Sequence, residues 1–178
     1  MISGGLERWQ ANSLLVIGLD GSGKTTLVKN LKKIDEGYEY YTSTSFLNIE
    51  KITLTNSNRP CIVYDLSGQG RYRECWKDFY AEVDGIFFVI DATDTDRLSI
   101  VQEMLQQISI DPLLKDSHIP FLLIFNKINH PDALTSKQIV NFIEFNEIKL
   151  KNQKLAWGVE EVDFTTEEKT DISNLSEC

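Results

Sequence analysis

Eight consecutive residues, Gly18-Leu19-Asp20-Gly21-Ser22-Gly23-Lys24-Thr25, constrain this chain more than any other stretch, because they satisfy the phosphate-loop pattern G-x-x-x-x-G-K-[ST]. The flanks agree with the motif. Leu14-Leu15-Val16-Ile17 is an apolar run short enough for a buried strand, and Leu27, Val28 and Leu31 share one helical face. Strand, glycine loop and helix in that order aim backbone N–H groups and a helix N-terminus at an anion. Glycines let the backbone close around phosphate oxygens where a Cβ would collide. Asp20, Gly21, Ser22, Gly23, Lys24, Thr25 and Thr26 are therefore candidate nucleotide contacts, with Lys24 reaching the β- and γ-phosphates and the Thr25 hydroxyl binding Mg²⁺. A glycine turn that merely caps a helix does not account for all eight positions in this context. The expectation is a nucleoside-phosphate site.

With 178 residues, the chain is expected to form one domain over 1–178, its core running from about 12 to 165. The net charge of −9 argues against non-specific nucleic-acid binding and against purely electrostatic attachment to anionic membrane. Cys61, Cys75 and Cys178 have neither C-x-x-C spacing nor an even count, so no disulfide framework or zinc site is indicated. No transmembrane run or signal peptide is read, and the expected compartment is the cytoplasm. Near the N-terminus, Ile2, Leu6 and Trp9 recur at helical spacing. Either peripheral membrane contact or packing on the chain's own domain would suit them. Myristoylation requires Gly at position 2, where this chain has Ile2.

Further along, Ile34 to Ser45 reads as a loop, Phe46 to Thr55 as an alternating strand, and Cys61 to Tyr64 as a second strand after the Asn56-Ser57-Asn58 turn. Two strands across so short a connection must form an antiparallel hairpin. Asp65-Leu66-Ser67-Gly68-Gln69 follows, leading into Trp76, Phe79 and Tyr80 at helical spacing. Asp65 ends a strand, where open α/β sheets place ligand groups, and suits a carboxylate holding Mg²⁺. The Gly68 N–H would meet a terminal phosphate, and Gln69 would orient a water. D-x-x-G alone is usually a turn; downstream of a phosphate loop it is a strong signal. Gly85 to Asp91 and Ile119 to Phe125 read as buried strands, Thr95 to Ile110 and Ser136 to Glu147 as helices, and Leu155 to Val159 as a last strand. Strands alternating with helices imply an α/β fold: a six-stranded, mostly parallel sheet with one antiparallel hairpin and helices on both faces.

Taken together, these motifs resemble those of the ADP-ribosylation-factor-like small GTPases, over about Leu14 to Trp157. Gly18-Leu19-Asp20 is typical of that family, and Asp65 to Arg73, with Ser67 before the glycine, is similar to its Bardet-Biedl syndrome branch. The resemblance implies a small GTPase fold and a slow GTPase that cycles between GTP and GDP with Mg²⁺. It also implies an exchange factor, a GTPase-activating protein and effectors that bind the triphosphate state in membrane or ciliary trafficking. In that branch the effector is the BBSome coat, and the address is a membrane or the cilium base. By the same resemblance Thr44 joins Thr25 and Asp65 at Mg²⁺, and Gln69 is the catalytic residue. Asn126, Lys127 and Asn129 form the base-recognition motif, and Phe164 stands at the final base-contacting turn.

Four departures from the family accompany these matches. Ser43-Thr44-Ser45-Phe46 replaces Pro-Thr-x-Gly, and a bulky Phe46 would obstruct the register shift of the inter-switch strands. Asn129 replaces the Asp whose carboxylate accepts hydrogen bonds from guanine N1–H and its exocyclic amine. An amide offers one acceptor and one donor group, so its NH₂ facing guanine's would cost roughly 1–3 kcal/mol. Xanthine, with a carbonyl there, would pair well. This predicts weakened GTP binding and a relative gain for xanthosine triphosphate, unless Asp132 or another nearby acceptor, or the loop geometry, compensates. Phe164 occupies the position of a small Ala, and Thr166 to Cys178 offers only Ile172 and Leu175 to a last helix, which is expected to be shortened or absent.

Two other classes compete with a switch. A scaffold that has lost switching or guanine selectivity would explain the departures at Phe46, at Asn129 and in the tail. A phosphate-loop kinase is disfavoured by the Asp65-to-Gln69 motif and the lack of an Arg-rich lid. His118 and His130 read as solvated loop residues, Phe87-Phe88 as core, and Glu160-Glu161 as a solvated face.

Overall fold

The computed structural model describes residues 12–31, 46–53 and 60–163. The expectations for Ile2, Leu6 and Trp9, the first switch loop with Thr44, Phe164 and the tail to Cys178 lie outside the described residues. Within them the order is β1 (Ser13–Gly18), α1 (Lys24–Leu31), β2 (Leu47–Thr53), β3 (Pro60–Leu66), a 3₁₀ helix (Gly70–Phe79) and β4 (Gly85–Asp91). A 3₁₀ turn (Thr95–Arg97), α2 (Leu98–Ser109), β5 (Pro120–Asn126), α3 (Ser136–Phe142), α4 (Phe145–Lys151) and β6 (Ala156–Glu161) follow.

The strands form one six-stranded sheet in the order β2-β3-β1-β4-β5-β6. Only β2 and β3 pair antiparallel, as the short connection required; every other pair is parallel. Parallel strands covered on both faces read as continuous apolar runs. β1, β4 and β5 do so, and successive residues feed alternate layers. Leu15, Ile17, Phe88, Ile90, Leu123 and Phe125 pack on the side of α2, α3 and α4. Leu14, Val16, Phe87, Val89, Leu122 and Ile124 pack on the side of α1, with Leu27, Val28 and Leu31. Phe87 and Phe88 are core, one on each face.

Several elements depart from the helical and strand periods read in the sequence. The segment carrying Trp76 and Phe79 is 3₁₀ rather than α, and Thr95–Arg97 is a 3₁₀ lead-in to α2. The helix expected over Ser136 to Glu147 is two helices, broken at Glu144, whose φ of 53° is left-handed. The break has a packing reason. Ile143 and Phe145 are both buried, yet two residues apart on a continuous helix they would face opposite sides. The left-handed residue turns the chain so that both reach the core. β5 runs one residue further than read, bringing Asn126 into the sheet opposite Asp91. β6 extends to Glu161, with Glu160 and Glu161 opposite Ile124 and Phe125. Among the described residues no helix is long and apolar enough to cross a membrane.

This topology positions the site. β1 is flanked by β3 on one side and β4 on the other, so the chain diverges at its C-terminal end and opens a crevice there. Gly18, Asp65, Asp91 and Asn126 all stand at that edge, each at or next to the end of its strand.

Candidate nucleotide-binding site

The phosphate loop leaves β1 through residues whose backbone only glycine adopts readily: φ is 138° at Gly18, 78° at Gly21 and 95° at Gly23. At Gly23 a Cβ would overlap the Asn126 side-chain amide. Lys24 opens α1 and is buried, its Nζ donating to the Leu19 carbonyl at 2.8 Å. Burial pushes its pKa down to about 8, with the carboxylates of Asp65 and Asp20 pulling the other way. Thr25 Oγ1 donates to Asp65 Oδ2 at 2.6 Å, and Asp65 is wholly buried at the end of β3. A hydroxyl and a carboxylate side by side are hard oxygen donors of the kind Mg²⁺ takes alongside substrate phosphates and water, so these residues fit that ion.

The second rim of the site is joined to the first by one side chain. Asn126 donates from Nδ2 to the Ser22 carbonyl at 2.9 Å, while its Oδ1 accepts the Lys127 N–H at 2.8 Å. Lys127 holds a left-handed φ of 63°, and its Nζ reaches back to the Gly21 carbonyl at 3.1 Å and to the Asp91 carboxylate. Burial works to raise the Asp91 carboxyl, but hydrogen bonds from Lys127 and Thr93 hold it below the usual range.

Gly68 and Gln69 lie on the other side of the phosphate loop. A Cβ on Gly68 would overlap backbone atoms of Gly18, Leu19 and Asp20, so this approach admits only glycine. Arg73 Nε donates to the Gly68 carbonyl at 2.7 Å, and Trp76 Nε1 to the Ser67 carbonyl at 3.1 Å, anchoring the turn. Gln69 is half-buried at the head of the following 3₁₀ helix. Phe46, in the place of an expected glycine, stacks edge-on against Tyr72 with ring centroids 5.3 Å apart, and its carbonyl accepts the Ser67 N–H at 2.8 Å.

Three residues enter the site without a role foreseen from the sequence. Arg97 Nη1 lies 3.1 Å from Asp20 Oδ1, and its Nη2 donates to the Asp20 carbonyl at 3.0 Å; Arg73 Nη2 is 3.4 Å from the same carboxylate. Burial would raise the Asp20 carboxyl, yet Arg97 and Arg73 hold it below its ordinary value. The one carboxylate of the glycine loop is thus countered by two guanidinium groups. The third is Asp163, buried just beyond β6, whose Oδ2 accepts the Asn129 N–H at 2.9 Å. Its position directly before Phe164 was the available signal; the topology alone brings Asp163 against Asn129. Asp132, the alternative acceptor considered above, is 85% exposed, with its carboxylate 3.8 Å from His130 Nδ1. His118 and His130 are both exposed.

The arrangement can seat an anionic phosphate chain on the glycine loop, a divalent cation beside Thr25 and Asp65, and a flat base beside Lys127. The family model described as "ADP-ribosylation factor family" matches residues 3–174. ADP-ribosylation factor-like protein 6 of Danio rerio is 36% identical over 147 residues, covering 83% of this chain and 77% of that protein. ADP-ribosylation factor K of Dictyostelium discoideum is 36% identical over 136 residues, covering 76% and 69%. Among solved structures, the Arl6 BBS3 small GTPase of Trypanosoma brucei, with the nucleotide analogue GppNp bound, has the same fold. It superposes with a TM-score of 0.73 at 23% identity, covering 85% of this chain and 86% of that one.

Proposed function

Since the chain belongs to the ADP-ribosylation factor family of small GTPases, we propose that it is a slow GTPase switch whose triphosphate state recruits effectors in membrane or ciliary trafficking. The observation that carries this reading is the Asn126 side chain, which ties the phosphate loop to the base loop through Ser22 and Lys127. A phosphate-binding turn with another purpose would need no such brace.

In this reading the N–H groups from Gly21 to Thr26 hold the phosphate oxygens, and Lys24 supplies a compact positive charge to them. Thr25 and Asp65, joined by Thr44, would hold Mg²⁺, which when bound neutralises charge on the β- and γ-phosphate oxygens. The Gly68 N–H meets the γ-phosphate, and Gln69 orients the attacking water. Asn126 braces the two loops while the aliphatic stem of Lys127 lies along the base. By the family resemblance, the backbone N–H of Phe164 would meet the guanine carbonyl. Contacts to the γ-phosphate order the loops around Thr44 and Gly68, and hydrolysis releases them. An exchange factor and a GTPase-activating protein would set the cycle. Effectors, including a coat of the BBSome kind, would read the ordered state, and residues 1–11 would supply peripheral membrane contact.

Gln69→Leu tests the switch. With Mg²⁺ and GTP, single-turnover hydrolysis should fall by roughly tenfold or more while nucleotide affinity stays within a few-fold, since the amide acts on the water rather than in binding. Hydrolysis equal to that of the unaltered protein would refute the reading. So would binding of a triphosphate-state partner equally well with GDP bound.

A further inference from the structure

We propose that Asp163 restores guanine selectivity to this chain by orienting the Asn129 side chain, so that the missing carboxylate of base recognition is supplied from the opposite loop. The inference rests on the nucleotide-switch reading above. Position 129 carries an amide where a carboxylate is expected, and an isolated amide can present either its oxygen or its NH₂ to a base. It would then read guanine poorly and accept xanthine. Asp163 changes that balance. Its carboxylate is buried beside Asn129 and takes the Asn129 backbone N–H at 2.9 Å, which fixes it against the residue that must face the base. A carboxylate has about four lone-pair sites, so it accepts more than one donor. Given such an acceptor at its back, the Asn129 NH₂ is drawn toward the carboxylate, and its carbonyl oxygen is left toward the nucleotide. That oxygen accepts from guanine N1–H and the exocyclic amine, and it repels the 2-carbonyl of xanthine.

Charge acts in the same direction. A buried negative group behind the reading edge favours a base that presents donors over one that presents an acceptor, and low-dielectric surroundings strengthen the preference. Asp132 does not serve this role, because its carboxylate is exposed beside His130. Asp163 is a positioning residue that acts through Asn129. The same carboxylate explains why Asn129 is tolerated at all: an Asp at both positions would set two like charges side by side, the one at 163 buried.

The test reads base preference rather than stability. Affinities for GTP and xanthosine triphosphate are measured with Mg²⁺ by displacement of fluorescent GDP, for the unaltered protein, Asp163→Asn, Asn129→Asp and the double exchange. The unaltered protein is expected to prefer GTP. Asp163→Asn should cut the ratio of GTP to xanthosine triphosphate affinity roughly tenfold or more, the size of one mispaired hydrogen-bonding group. Adding Asn129→Asp to it should bring the ratio back, because the carboxylate then faces the base directly. Asn129→Asp alone should give no gain in GTP affinity, since the two carboxylates oppose one another. This arm stands even if Asp163→Asn fails to fold. A ratio unmoved by Asp163→Asn, or a tenfold gain in GTP affinity from Asn129→Asp alone, would overturn the inference and leave the switch intact. Preference of the unaltered protein for xanthosine triphosphate would do the same. Failure of the unaltered protein to bind either nucleotide would overturn both.

Discussion

At Gly68 a single methyl group would overlap the backbone of Gly18, Leu19 and Asp20 together, none of which can rotate away as a side chain would. Gly68→Ala should therefore force the turn at Gly68 and the phosphate loop apart. We expect a loss of about 1–3 kcal/mol, the usual cost of overpacking, seen as a lower urea midpoint, together with weaker GTP binding. Retention of both would mean that the two loops separate freely. The motif around Gly68 was legible because its chemistry is local: a glycine, an acid and a glutamine at fixed spacing after a strand. The guanidinium groups on Asp20 were not, because Arg97 is 77 residues away from it in sequence and only the β1–β4 pairing brings them together.

Among the elements, α3 shows how much a short helix depends on its first turn. It has seven residues and one buried side chain, Ile139. Its entry is a capping box, in which Thr135 accepts the Gln138 N–H and Gln138 accepts the Thr135 N–H. Thr135→Ala should cost about 1 kcal/mol and lower the melting temperature by roughly 2–4 °C, read by circular dichroism, with nucleotide affinity unchanged because α3 lies outside the site. Loss of nucleotide binding in the folded variant would tie α3 to the base loop. The sequence signature T-x-x-Q marks where this helix starts, but its end is another matter. Apolar residues at Ile139, Val140 and Ile143 keep a helical period up to Glu144, and the demand to bury Ile148 and Phe145, which packs edge-on against Trp157, breaks it.

On the scale of the whole molecule, the site is assembled from the ends of β1, β3, β4 and β5 and the turn after β6, so a ligand seated there bridges most of the sheet. Binding should stabilise the fold as one unit. At a hundredfold excess over its dissociation constant, GDP with Mg²⁺ should add about 2.7 kcal/mol, raising the melting temperature by roughly 5–11 °C. Chelation of Mg²⁺ should remove part of that gain, because Asp65 and Thr25 would then face the phosphates without a counter-ion. A calorimetric scan with no shift on adding nucleotide would argue that the site does not close. What the sequence by itself determined is what depends on short range. Eight residues specified the phosphate loop, alternating apolar runs specified a mostly parallel sheet with one hairpin, and Asn126-Lys127 marked the second rim. The tertiary structure alone decided which distant groups share a space. It set two arginines on Asp20 and placed the buried Asp163 against Asn129. Such pairings follow from strand order and register, which a local pattern of residue types does not encode.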